Sequence, residues 1–165
     1  LEAARTLLAT GTPPKDVAAN AVGHTPGAPS LDSCARTDGT STLYIQIYDE
    51  NARVPAAALR QSLQADPSVP LLVAPVENVV RSADLRQQRR PVPWPTPTLV
   101  LHDPASRACA QAIATYVGAP WLRGPTTQAV RLRDLPASLT ARPGVMELWL
   151  PPLDVAAHEQ QPQTR

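Results

Sequence analysis

The sequence predicts an α/β domain. Two duplicated strand-helix-strand units form one sheet with helices on one face, joined by a C-terminal strand and an N-terminal helical arm. Three observations carry that expectation. "TLYIQIYDENARVPAAALRQSL" superposes without a gap on "TPTLVLHDPASRACAQAIATYV", at an offset of 54 residues. Within each copy the apolar period changes from that of a strand to that of a helix. Each copy is then followed by a further apolar, β-like segment, and an α/β order of this kind places helices over a sheet.

Residues 1–41 read as an arm. "LEAARTLLAT" spaces Leu1, Ala4, Leu7 and Leu8 for a helix, and "PPKDVAANAVG" has proline at the start and glycine at the end of a second one. The domain proper spans 42–152, with units at 42–76 and 96–132 and a closing strand at 145–150. In the first unit, residues 43–48 alternate as a strand, and the following helix carries Val54, Ala58, Leu59 and Leu63 at helical spacing. Pro55 falls near its first turn, where proline is tolerated. A strand is expected near 69–74, then a short helical turn and an extended proline-rich connector. In the second unit "TLVLH" is a buried strand, "PASRACAQAIATYVG" a helix ended by Gly118, and "TTQAVRLRDLP" a strand. In "RPGVMELWLPP" a turn leads into a strand, placed at an edge of the sheet. Alternation puts Met146, Leu148 and Leu150 on one face and Val145, Glu147 and Trp149 on the other. Residues 153–165 are a polar, flexible tail.

The repeat explains Asp49 and Asp103. Each follows a strand and precedes a helix, where a carboxylate accepts an early helix N–H and favours the positive end of the dipole. A duplicated acid suits such a cap better than catalysis. Arg53 and Arg107 stand four residues on, within reach of those acids on a helix.

Composition excludes several functions. The net charge is +1 and no basic stripe is concentrated, which argues against nucleic-acid binding. No apolar run approaches the length of a transmembrane segment. His24, His102 and His158 are isolated, so no metal site is expected. The seven glycines form no phosphate-binding loop, and no cofactor is expected. The chain opens on Leu1 and reads as a processed product or a piece of a longer protein. Cys34 and Cys109 permit one disulfide between the arm and the body; the alternative is two free thiols, with Cys109 buried on a helix.

Two stretches bear on function. "LHDPASRAC" gathers His102, Asp103, Ser106 and Cys109, the residue types of acyl transfer, so a small hydrolase using Cys109 or Ser106 with His102 is one alternative. "DLRQQRRPVPWPTP" sets Arg86, Arg89 and Arg90 before Trp94 among alternate prolines. It reads either as a recognition loop or as a linker with Trp94 folded back over the core edge. Tryptophan and arginine are enriched at binding hot spots, and Trp149 is a further candidate.

"LYIQIYDENARVPAAALRQSLQ", "TLVLHDPASRACAQAIA" and the closing "RPGVMELWLP" together resemble a small α/β accessory domain of bacterial proteins. The type is the LytR C-terminal domain, with similar tails beside caspase-like peptidases and in envelope proteins. The resemblance covers residues 42–152. It implies a non-catalytic binding or regulatory module of a larger protein or assembly, and it supplies no catalytic residues. The leading expectation is therefore a protein-interaction module acting through a sheet edge, a sheet face or the connector 84–97. A cell-envelope domain contacting peptidoglycan is a further alternative, and periplasmic or extracellular placement is favoured.

Overall fold

The computed structural model describes residues 30–118, 121 and 130–153. The expected helices of the arm and the polar tail from residue 154 lie outside them. Among the described residues, six strands form one sheet: β1 (Ser41–Ile47), β2 (Leu71–Val73), β3 (Glu77–Asn78), β4 (Thr98–Leu101), β5 (Arg131–Asp134) and β6 (Val145–Leu150). The helices are α1 (Arg53–Leu63), α2 (Val79–Leu85) and α3 (Arg107–Ala114). The strand order is β2-β1-β6-β4-β5, with β3 pairing the far end of β1. The predicted α/β class and its single sheet are present.

The duplication is visible in the packing. In each unit the second strand runs parallel to the first, β2 to β1 and β5 to β4, as a crossover through a helix requires. Leu43, Ile45 and Ile47 of β1 share one core with Leu99 and Leu101 of β4 and with Met146, Leu148 and Leu150 of β6. Onto that face α1 buries Ala56, Leu59 and Leu63, and α3 buries Ala110 and Ile113, with Val117 just beyond. These are the repeat's matched positions. The short α2, outside the duplicated units, buries Val79 and Ala83 apart from that cluster.

Several details differ from expectation. The closing strand β6 is central, not at an edge. It lies between the two units, parallel to β1 and antiparallel to β4. Both of its neighbours are strands that bury apolar residues, so only insertion there covers Met146, Leu148 and Leu150 fully. Val54 and Ala58 are exposed, because Pro55 and the preceding 3-10 turn rotate the helix so that Ala56, Leu59 and Leu63 face inward. The helix of the second unit, α3, stops at Ala114 rather than at Gly118; the Thr115 hydroxyl donates to the Ala112 carbonyl, 2.6 Å away, just past its end.

Cys34 and Cys109 form a disulfide across 75 residues of sequence. It anchors the arm beside α3. The Ser41 hydroxyl donates to the Cys34 carbonyl at 2.7 Å, and Arg36 spans from Asp38 (2.7 Å) to Asp103 (2.9 Å). Gly144, with φ +73, opens the turn into β6. A β-carbon there would stand 3.0 Å from the Arg36 side chain, so a larger residue meets both backbone strain and the arm.

Candidate functional site

Each aspartate of the repeat caps a turn of 3-10 helix that leads into the α-helix. The Asp49 carboxylate accepts from the N–H groups of Asn51 (2.8 Å) and Ala52 (3.3 Å), and Asp103 accepts from Ala105 (2.9 Å). Asp103 differs from Asp49 in also binding Arg36, and that guanidinium, with the Ala105 N–H, holds its carboxyl below the usual carboxylate range. The repeated arginines take other partners than these acids. Arg53 pairs with Glu50 and reaches the Val76 carbonyl, and Arg107 crosses to Asp134 at 2.7 Å. A helix that starts one 3-10 turn after the aspartate carries its arginine past that carboxylate. Asp49→Ala is expected to cost about 0.5–2 kcal/mol, as cap removal does, read from urea unfolding.

Glu50 joins three elements. It accepts from Arg53 and, at 2.9 Å, from the Asn78 amide, while Asn78 caps α2 by accepting from Arg81 N–H. The Arg53 and Asn78 hydrogen bonds lower its pKa from 4.5 to about 2. A carboxylate with a depressed folded-state pKa stabilises the fold above its unfolded pKa, and that contribution is lost as pH falls through the folded value. Stability is therefore expected to decline between pH 4.5 and about 2. Glu50→Gln should flatten that part of a thermal-melt profile; an unchanged slope would remove Glu50 from the acid response.

The hydrolase constellation is not assembled. Cys109 is in the disulfide, so it presents no thiol. The Ser106 hydroxyl is buried without a hydrogen-bond partner. His102 turns to a different partner, donating from Nε2 to Glu147 Oε1 at 2.9 Å. Among the described residues, no hydrogen bond joins His102 to a serine or cysteine side chain. Among the described residues, no three His, Cys, Asp or Glu side chains are grouped to hold a metal ion, and no helix is long and apolar enough to cross a membrane.

What the chain does bring together lies on the sheet face turned away from α1 and α3. By register, Tyr44, Glu147, Val100 and Arg133 make one row across it, and Gln46, Trp149, Thr98 and Arg131 the next. Trp94 of the connector tilts against Trp149, ring centres 5.7 Å apart, and Tyr48 approaches Trp149 at 5.9 Å. The Arg133 guanidinium stands 5.3 Å from the Trp94 ring centre, within cation–π range. Trp149 Nε1 donates to Glu147 Oε2 at 3.1 Å, so Glu147 links the aromatic group to His102. Burial raises the pKa of Tyr48, against an opposing hydrogen bond from the Trp94 main chain.

Of the residues singled out in the sequence, Trp94 and Trp149 meet. The connector does fold back, but half-buried Trp94 lies on Trp149, on the face opposite α1 and α3, rather than over the core edge. Arg86, Arg89 and Arg90 do not join the pair. Arg86 lies 3.7 Å from Glu77, Arg90 binds Asp84 at 2.7 Å, and Arg89 is exposed with no ion partner among the described residues. The cation on Trp94 is Arg133, which with Tyr48 is not among the expected site residues, whereas strand alternation already sets Glu147 on the Trp149 face. Comparison with protein-family models, curated proteins and solved structures finds no match.

The stack makes the connector's attachment measurable. Trp149→Ala is expected to free Trp94, shifting its emission to the red and raising its quenching by acrylamide, while the far-ultraviolet dichroism stays native. A blue, shielded Trp94 signal in that variant would show that the connector is held by other contacts.

Proposed function

We propose that the chain is a non-enzymatic protein-interaction module, binding a partner over the sheet face bordered by the connector. The supporting observation is the convergence of Trp94, Trp149, Tyr48 and Arg133 on the face opposite α1 and α3. Aromatic side chains provide large contact areas at little cost in conformational freedom, and with arginine they are enriched at interface hot spots. Beside them the connector exposes Val92, Pro93 and Pro95, a segment stiffened by proline and pinned through Trp94. Little ordering is then left to be done on binding. The bridging of Cys109 and the pairing of His102 with Glu147 rather than with Ser106 weigh against the hydrolase alternative. The disulfide fits an oxidising compartment, and periplasmic or extracellular placement follows from that as part of the proposal.

A photo-reactive residue at Val92 tests the module. In the cells that make the protein it should yield a discrete protein adduct, and the same residue at Gln61, on the exposed side of α1, should not. No adduct from Val92 would reject the proposal. Labelling of the native chain by a serine- or thiol-directed active-site probe, abolished by His102→Ala, would reinstate the hydrolase.

A further inference from the structure

The two borders of the sheet are treated differently. At β2, Arg60 of α1 donates to the Val73 carbonyl (3.2 Å), an acceptor that the border strand would otherwise present, and to the Ala74 carbonyl just beyond it (3.1 Å). At β5 no described residue plays that part. The β5 N–H groups engaged with the sheet are those of alternate residues, including Arg131 to Pro97 (2.9 Å) and, just past the strand, Leu135 to Leu101 (2.7 Å). In a parallel ladder the intervening residues turn their backbone groups the other way. Leu132 and Asp134 therefore direct their N–H and C=O groups outward. Pro136, next in that series, has no N–H and ends it.

The side chains of this border have two characters. Arg131 and Arg133 are exposed on the Trp94 face, and Arg131 has no ion partner among the described residues. On the opposite face Val130 and Leu132 pack against the rim of the core, and Asp134, paired with Arg107, ends the row. A second copy is a poor occupant, since pairing β5 with itself places arginines opposite arginines, and like charges across a ladder repel.

We propose that the β5 border accepts an extended segment of a partner protein as an added strand, with acidic residues beside Arg131 and Arg133 alternating with aliphatic residues beside Val130 and Leu132. The proposal rests on the interaction-module reading and names the partner's chemistry. Main-chain hydrogen bonds to Leu132 and Asp134 supply sequence-independent attachment, and the alternating side chains supply selectivity. Two outward N–H groups make a short site, suited to reversible contact or to one arm of a larger interface.

The test is nuclear magnetic resonance of the whole chain with a capped hexapeptide, Glu-Val-Glu-Val-Glu-Val, against a Lys-Val counterpart. The acidic peptide should shift the Leu132 and Asp134 amide signals saturably and slow their hydrogen exchange. Arg131→Glu, which removes no ion pair or side-chain hydrogen bond among the described residues, should weaken that binding about tenfold and favour the Lys-Val peptide. Unmoved Leu132 and Asp134 signals, or equal binding of both peptides, would overturn the proposal. If the Val92 adduct forms while the acidic peptide fails, the border assignment alone is lost. If neither is seen, the module falls with it.

Discussion

The paired substitution Cys34→Ala with Cys109→Ala is expected to lower the unfolding free energy by about 4 kcal/mol, the chain-entropy value for a loop of this size. The bridge spans 75 residues and encloses β1, α1, β2, β3, α2 and β4. Cutting it releases a long loop in the unfolded chain, and so raises the entropy of that state. Both cysteines are buried in the core beside α3, so alanine also removes packing. At about 2–4 °C per kcal/mol for a chain of this length, the midpoint should fall by roughly 8–16 °C. Urea unfolding of the variant beside the oxidised native chain measures the loss. A change below about a quarter of that entropic value, about 1 kcal/mol, would mean that Arg36 and Ser41 hold the arm unaided.

Leu148→Ala is expected to cost about 2–5 kcal/mol, the range for leucine truncation in a packed core. Leu148 is fully buried, between Ile45 of β1 and Leu99 of β4, with the helices above. Strands flank it on both sides and leave a truncated site little room to collapse. Leu132→Ala, half-buried on the border strand β5, should cost less than half as much. Equal losses at the two sites would contradict the central placement of β6. Denaturant titration of both variants decides it.

These predictions fall where sequence and structure part. The repeat could be read directly, and of its matched apolar pairs Ala56 with Ala110, Leu59 with Ile113 and Leu63 with Val117 are buried, whereas Ala58, matched to Ala112, is exposed. The aspartates could be read as caps because capping depends on residues two or three positions away. The partners of Arg53 and Arg107 could not, since one inserted 3-10 turn changes which side chain a helical residue meets. The aromatic site was half legible. Trp94 and Trp149 stood out as rare residues in a chain with three tryptophans and no phenylalanine, whereas Arg133 lies in a run of alternating charge that resembles any solvated strand. Arg86, Arg89 and Arg90 stood out for their clustering, yet Glu77 and Asp84 lie close enough to Arg86 and Arg90 to pair with them locally.

By itself the sequence determined the elements: two strand-helix-strand units, their inward faces and their capped helix starts. All of these depend on periods of two to four residues and on hydrogen bonds within one turn. The tertiary structure alone decided that β6 enters between the units, that Cys34 reaches Cys109, and that Trp94 lies between Trp149 and Arg133. Each of those contacts joins residues far apart along the chain. Which of them forms depends on how the apolar faces close against one another, and no local period records that.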